Sequence, residues 1–549
     1  MKFLKVLTNS LLSGIFFSAL LALLIYDINI NIPFQIGFFL QLTLYLCFTY
    51  GIIIALLCLF IFFVVRFISG HAFNIAFVSP SFLTLSFSFL TLFYFVVFKF
   101  NYDYFLTLFD DVTRELIKSQ TWGLIFLVIS GFLIIYGASL YRKKVFFFLA
   151  YFLLFGGLMT YSVSRRAAFP LPVKSTKITR LAVNPPVKKI TIIGLSGMTF
   201  DILNPLITKN LLPNISELIN NGCWGNLQSL TPSDHVPLTQ SFNTGKWPSR
   251  HRVLSPLTYQ LLNLKQELEV VPCYMFFRQL TRIGLLLTHP HQTPSAAKDI
   301  WTIFEEFGIN VIRRDNPYPL EVAEPDENTL TQFDLFYKDL KFETEPVFIA
   351  LKNAFYADSQ RENAFNTERK AGQPEIIYLL LDGLNTVESF FYRYSFPELF
   401  GDVDPEEITK SGTVIERYYQ FYDSIIGKYL SGIKENELLI VFSPHGTEPL
   451  PLWKRFIEFL LGNSSVSAYH DLAPDGVVFF FGQEVARRKT ITGVRLIDLA
   501  PTILYFMGMH VGKDMDGDAQ PHVFREEFRE DTPVLYISSY DEYTVTMKK

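Results

Sequence analysis

Charge is scarce in this chain. Asp, Glu, Lys and Arg make up 18% of its 549 residues, against about 25% in an ordinary soluble protein, and half of the residues are hydrophobic. A wholly soluble, disordered or fibrous chain is thereby excluded. Basic residues are no more plentiful than acidic ones. The 48 Lys and Arg against 52 Asp and Glu leave a net charge of −4, so there is no basic field to hold nucleic acid. Cysteine occurs four times, too rarely for a disulfide framework. Internal repeats and low-complexity tracts are missing as well. What is abundant is aromatic, with 56 Phe residues, and the apolar excess is concentrated at the front.

Residues 1–165 contain five apolar stretches, at 8–26, 36–65, 78–99, 122–141 and 144–163, each near the roughly 20 residues needed to cross a hydrocarbon core. The second is long, and predicts a tilted helix or one extended past the bilayer. The first is not read as a cleaved signal, because no small-residue cleavage site follows it and further spans come directly after. Lys2, Lys5, Arg66, Arg142, Lys143 and Lys144 flank alternate ends of these stretches, whereas 27–35 has no Lys or Arg. By the positive-inside rule the N-terminus is cytoplasmic, and five crossings place everything after 165 outside. Arg165 and Arg166 run against that assignment. The mixed-charge segment 100–121 reads as an amphipathic helix on the outer surface. No charged residue falls in the middle of a span, so an ion pathway has little support.

Prolines at 170, 172, 185 and 186 and the lack of periodicity make 166–188 an extended tether. Beyond it the text changes. Short, continuously apolar runs (KKITIIGLSG, EIIYLLLDG, ELLIVFSPHG, DGVVFFFG) alternate with helical patterns such as ISELINNG and IDLAPTILYFMG. That alternation predicts an α/β domain with a mostly parallel sheet covered on both faces. In such sheets ligands bind beyond the carboxyl ends of the strands, so Ser196, Asp382 to Asn385, and Pro444 to His445 are the places to look.

The run IIGLSGMTFDILNPLITKNLLPNISELINNGCWGNLQSLTPSDHVPLTQSFNTGKWPSRHRV resembles the opening of the alkaline phosphatase superfamily, in its type I phosphodiesterase/nucleotide pyrophosphatase branch. Later pieces continue the likeness in the family's order: AAKDIWTIFEEFGINVI, NPYPLEV, NTVESFFYRY, LLIVFSPHGTE and VRLIDLAPTILYFMGMHVGKDMDG. It covers about 188–525 and implies an alkaline phosphatase-like domain over 189–525. The segment 254–375 stands where the family builds its substrate cap, its aromatics equally suited to a protein partner, and 526–549 is a C-terminal tail. The family's chemistry uses two divalent ions, usually zinc, roughly 4 Å apart around a phosphoryl centre, with a Thr or Ser nucleophile.

Carried onto this chain, the family's positions are largely altered. The first-strand Asp is Ser196, the nucleophile position is His235, and the Asp and His of an Asp-x-x-x-His element are Asn385 and Ser389. The Asp of Ser-Asp-His-Gly is Pro444; its His is kept as His445, and a later His is kept as His470. Five of the seven positions differ and all three carboxylates are gone. Two zinc ions bring four positive charges, and without anionic ligands a dry cleft cannot hold them. Proline has no side-chain donor at all. The resemblance therefore implies a pseudoenzyme with no catalytic residues and no cofactor, unless Asp382, or the hydroxyls and Asp234 around His235 (Thr231, Ser233, Thr239), take over. His235, His445 and His470 converge in the family on one cleft. Here they are either remnants, a cluster titrating near neutral pH, or the ligands of a single zinc with an open fourth position.

Other residues carry less. Asp201 and Asn214 read as surface or capping groups, and the Gly194–Gly197 turn either presents N–H groups to an anion or is a packed strand-to-helix turn. Cys223 and Cys273 fall outside the membrane, where a bridge can form; Cys47 and Cys58 are packing residues of the second span. The chain as a whole reads as a membrane-anchored scaffold or binding subunit of an envelope complex. Its partners would be the bilayer and other membrane or envelope proteins, with its large domain extracytoplasmic (periplasmic in a Gram-negative cell). Two other readings stand beside it. One is a metal-dependent phosphodiesterase or phosphoethanolamine-type transferase, which shares the plan of a five-helix bundle plus outer domain. The other is a lipid or glycan binder without turnover.

Overall fold

The computed structural model describes residues 2–70, 75–140, 144–167, 188–262, 264–273, 275–292, 295–315, 324–338, 340, 346–401, 403–460, 463, 465–472 and 474–541. By internal contacts the chain divides into two units: Met1–Val173 with Arg252–Pro294, and Lys174–His251 with Ser295–Lys549.

The first unit is built on helices α1 (Lys2–Ile28), α2 (Ile36–Leu46), α3 (Ile52–Ser69), α4 (Pro80–Phe105), α5 (Asp111–Leu140) and α6 (Lys144–Ala167). A π-helical turn at Cys47–Gly51 joins α2 to α3, so they form one 34-residue rod. Among the described residues four helices are long and apolar enough to cross a membrane: Phe3–Ile28, Ile36–Ser69, Pro80–Leu108 and Asp111–Gly137. The fifth expected span is the helix α6, whose described apolar stretch, Val145–Leu158, is shorter. The separate amphipathic helix expected over 100–121 does not form. Asp110 accepts from Thr113 N–H and Oγ1, both at 3.0 Å, and this local turn ends one helix and starts the next.

The π turn lies where α1 packs closely against it. A Cβ on Gly14 of α1 would lie 2.2 Å from Gly51 O, and one on Gly51 would lie 2.7 Å from Ser18 Oγ. Only paired glycines let these backbones meet. Asn9 near the start of α1 binds Ala76 O (3.0 Å) and accepts from Ser79 N–H (2.8 Å), which sets the starts of α1 and α4 side by side.

The cap expected over 254–375 does not act as one piece. Its first part, 252–294, packs into the helical unit as a three-stranded antiparallel sheet (Leu257–Leu261, Glu267–Leu268, Leu286–Pro290) and a short helix, Phe277–Arg282. Leu254, Leu261, Leu268, Val270 and Leu286 share one continuous apolar core with the bundle. Buried amides complete the join. Asn29 accepts from Val270 N–H (3.0 Å) and donates to Val270 O (2.8 Å), and Asn101 does the same with Cys273 (2.7 and 3.3 Å). Each side chain thus pairs like a strand residue.

The second unit is an α/β domain. Its sheet has seven strands: β1 (Lys189–Leu195), β2 (Cys223–Gln228), β3 (Val311–Arg314), β4 (Ile376–Leu381), β5 (Glu437–Phe442), β6 (Gly476–Gly482) and β7 (Lys489–Arg495). Their order is β7-β2-β6-β5-β1-β4-β3, with only β6 antiparallel to its neighbours. Central strands are buried on both faces, as their unbroken apolar runs require. In β4, Ile376, Tyr378 and Leu380 enter one core with Phe242 and Trp301, while Ile377, Leu379 and Leu381 enter the other with Tyr418 and Phe421. The expected tail is not loose as far as it is described. Asp541 and Asp514 bind Lys246 Nζ at 2.7 and 2.5 Å, and Tyr540 is buried. The tether at 168–187 lies outside the described residues.

Candidate functional site

Three adjacent parallel strands, β5, β1 and β4, deliver their carboxyl ends to one edge of the sheet. Ser196 follows β1, Asp382 follows β4, and Ser443-Pro444-His445 follows β5. Helix α7 (His235–Thr244) opens with His235, and His470 follows the short strand Ala468–Tyr469. The topology therefore collects most of the predicted positions, as a strand-end site should.

The three imidazoles do come together. The His445 and His470 rings stack with centroids 4.9 Å apart and planes 25° apart. His445 is buried, and Nδ1 lies 3.1 Å from Gly446 O. A carbonyl only accepts, so Nδ1 carries the proton and Nε2 is left with the lone pair. Burial lowers His445 to about 3, with His470 and then His235 opposing a further charge nearby. Burial likewise lowers His235 to about 4, helped by His470. His470 is also lowered, first by burial, while Asp471 pulls the other way and Lys454 adds to the lowering. Burial thus favours the neutral form of all three imidazoles.

The altered positions are occupied with other work. Ser196 and Asn385 lie near enough to the Asp382 carboxyl to favour its charge, and Asn385 Oδ1 is buried without a hydrogen bond, but burial dominates and raises Asp382 to about 7. Ser389 Oγ turns back on its own helix, α8 (Gly383–Ser395), to Asn385 O at 2.9 Å. Beside Pro444, the Ser443 hydroxyl accepts from Met198 N–H (3.1 Å) and donates to His445 O (2.7 Å). Asp234 stands at the N-cap of α7 without a capping hydrogen bond to that helix, and Ser233 Oγ binds Leu230 O at 2.8 Å. The turn after β1 is not an anion cradle. The N–H groups of Ser196, Gly197, Met198 and Thr199 go to Leu381 O, His445 O, Ser443 Oγ and Tyr419 Oη. Asn214 binds Asp423 at 2.8 Å as a bracket between helices, and Asp201 N–H meets the Thr199 cap. All four cysteines are free, and Cys223 and Cys273 belong to different units.

Several acidic and phenolic groups of this region escape a reading by motif. Glu388 of α8 is fully buried, its Oε1 accepting from Tyr419 Oη at 3.2 Å. Glu388 Oε2 and Thr447 Oγ1 are both buried without a well-formed hydrogen bond, although the hydroxyl lies near enough to favour the carboxylate. Burial outweighs it and lifts Glu388 to about 8. A Cβ on Gly197, where φ is 96°, would come within 2.7 Å of that Oε2, so glycine is needed there for both conformation and space. Beneath Asp382, Asp358 accepts from Tyr418 Oη (2.9 Å), Tyr422 Oη (2.7 Å) and Gly383 N–H (3.0 Å). A sequence signal existed: Glu388 interrupts the apolar stripe Leu384, Val387, Phe391 of an amphipathic helix, and a charge on a buried stripe demands a partner.

The two-zinc centre that the resemblance brings to mind does not fit these residues. Among the described residues no group of three His, Cys, Asp or Glu could hold a metal ion, and this holds for His235, His445 and His470 as a set. The positions that the resemblance assigns to carboxylate ligands hold Ser196, Asn385 and Pro444, none of which supplies the anion a hard cation needs.

Comparison with known proteins agrees with the motif text at the front of the domain. No curated protein sequence matches the chain. Among solved structures, a phosphonate monoester hydrolase from Silicibacter pomeroyi is similar at 13% identity and TM-score 0.36, over 61% of this chain and 76% of that one. Murine ectonucleotide pyrophosphatase/phosphodiesterase 5, an inactive variant in complex with AMP, is similar at 11% identity and TM-score 0.36, over 63% and 99%. Residues 190–267, which carry β1, Ser196, β2 and His235, match the type I phosphodiesterase/nucleotide pyrophosphatase family.

Proposed function

We propose that this chain is a membrane-anchored pseudoenzyme of the phosphodiesterase type, a scaffold or binding subunit of an envelope complex that does not perform two-metal phosphoryl chemistry. One observation carries the reading. The positions that the resemblance assigns to anionic ligands hold Ser196, Asn385 and Pro444, and Ser389 Oγ bonds Asn385 O at 2.9 Å. The His445 and His470 rings stack on each other, with no group of three His, Cys, Asp or Glu among the described residues fit to hold a metal ion.

The bundle supports an extracytoplasmic domain. The ends of α1 and α4 that bear Asn29 and Asn101 receive the 252–294 segment. Lys5 lies at the other end, over the Phe77 ring, and Phe3 there stacks on Phe63, near Arg66. Lys99, Arg114 and Lys118 at the receiving end are matched by Asp103, Asp111 and Glu115, and we read Lys5 and Arg66 at the other end as the positive-inside signal of a protein with its N-terminus inside.

Elemental analysis of the detergent-purified full chain, prepared without chelator, tests the proposal. Less than a tenth of a zinc or manganese per chain is expected, with no turnover of an aryl phosphodiester in added metal. About two metals per chain, or metal-dependent turnover abolished in a His445→Ala, His470→Ala variant, would sink it in favour of a phosphodiesterase or transferase.

A second reading, a binder of membrane lipid, has one observation in its favour. The helix Leu452–Leu460, carried on the same excursion as His470, exposes Leu452, Trp453, Phe456, Phe459 and Leu460. Lys454 ties it down over the Tyr469 ring, 3.7 Å from the centroid. Mass spectrometry of the purified chain separates the two: a stoichiometric lipid supports the binder, and a co-purifying protein supports the scaffold.

A further inference from the structure

The segment Arg252–Pro294 carries apolar side chains that no core takes up. Phe276 is 73% exposed and Ile283 is 68% exposed. Phe276 is moreover held at φ 55°, a conformation unfavourable for a bulky residue. Facing water, that strain would turn a large apolar ring outward for no gain.

Their level in the helical unit is fixed by hydrogen bonds. Met275 O, next to Phe276, accepts from Tyr50 Oη, and Leu285 O, two residues after Ile283, accepts from Tyr45 Oη at 2.6 Å. At 1.5 Å per residue, Tyr45 and Tyr50 stand roughly 14 and 21 Å along the rod from Ile36. Around them Leu44, Phe48 and Ile53 are exposed, and no charged residue occurs between Ile36 and Arg66. A helix surface of that kind is covered by lipid, and the exposed Phe276 and Ile283 continue it at the same depth.

The polar groups lead to the same place by a separate route. Irregular backbone is tolerated at membrane depth only where protein satisfies it. Here the side chains of Asn29, Asn101, Tyr45 and Tyr50 bind the backbone at Val270, Cys273, Leu285 and Met275. Two buried amides and two phenols thus shelter peptide groups that water would otherwise serve.

We infer that Arg252–Pro294 is itself a membrane element: Phe276 and Ile283 enter the leaflet at the Asn29–Asn101 end, and their covering is acyl chain. This rests on the apolar helices crossing a bilayer. The chain of the α/β unit thereby returns to the membrane, long after its tether, through a segment that reads in sequence as part of a soluble cap.

Spin labels at Phe276→Cys and Ile283→Cys test it, in the cysteine-free full chain reconstituted into phosphatidylcholine/phosphatidylglycerol nanodiscs. Phe48→Cys serves as the lipid control and Leu335→Cys, 74% exposed in the α/β unit, as the water control. The expected result is collision with oxygen several-fold above collision with a water-soluble nickel chelate at 276 and 283, as at 48. Nickel access like that at 335 would overturn the inference, and so would exclusion of both reagents, which means cover by a second copy or a protein partner. Nickel access at 48 as well would refute the bilayer reading itself. If removal of the cysteines prevents folding, quenching by brominated lipid, read as the difference between Phe276→Trp and the parent chain, gives the same decision. Quenching greater than the parent's is expected, and no difference overturns the inference.

Discussion

Replacing Glu388 by Gln should stabilise this protein, and by an amount that grows with pH. The fold buries the carboxyl completely and holds it near 8, against an ordinary 4.5. Between those values the native state keeps a proton that the unfolded chain releases, so the stability that Glu388 contributes at low pH is lost as pH rises toward 8. At 1.36 kcal/mol per unit, the loss reaches up to about 5 kcal/mol at pH 8 and about 1 kcal/mol at pH 5. Gln has the shape of the protonated acid and keeps an acceptor for Tyr419 Oη, the 3.2 Å partner of Oε1, but it cannot ionise. Denaturant unfolding of the purified full chain at pH 5, 6, 7 and 8, followed by tryptophan fluorescence, measures the difference between variant and parent. A gain rising by roughly 1.4 kcal/mol per pH unit is expected, and any constant offset from the amide drops out of the slope. A difference that is flat in pH, or that falls, would show that Glu388 is ionised in the fold, and the account of a neutral carboxyl pocket would fail.

Other outcomes follow from the same structure. His445→Asn should move the acid-unfolding midpoint to lower pH, because burial lowers this imidazole to about 3 and the parent chain loses stability as pH falls from 6.5 toward that value; an unmoved midpoint contradicts the assignment. Asn101→Ala strands Cys273 N–H and should cost about 1–3 kcal/mol, read as faster proteolysis within 252–294 and faster thiol labelling of Cys273. Gly14→Ala places a methyl 2.2 Å from Gly51 O and should lower the melting temperature in detergent by overpacking worth about 1–3 kcal/mol. Gly37→Ala, with open space around it, should leave the melting temperature where it was.

How much of the site could be read from the chain differs from residue to residue. Ser196, Asp382 and His445 were legible because a buried strand followed by a turn marks a strand end, and strand ends of a parallel sheet are where ligands bind. Glu388 was not singled out, since it fills an unassigned position between Asn385 and Ser389 of its motif, and its carboxyl is pinned by Tyr419 and lies against Gly197, far off in sequence. The N–H groups after β1 could be taken for an anion cradle until the fold showed Leu381, His445, Ser443 and Tyr419 occupying them. The 254–375 segment was read as a cap from its place in the resemblance, whereas the partners of its backbone are Asn29, Tyr45, Tyr50 and Asn101, more than 170 residues away in the chain.

Local composition and period were enough for everything set by short-range physics. Uninterrupted apolar runs have to be buried or lie in a bilayer, so the sequence alone determined the apolar helical front and the mostly parallel sheet. Which side chains meet across the chain depends on packing, and packing is decided only when distant segments compete for the same buried space. The tertiary structure therefore decided that 252–294 joins the bundle, and that His445 stacks on His470. It also decided that Asp382 and Glu388 are buried, where desolvation favours their neutral forms.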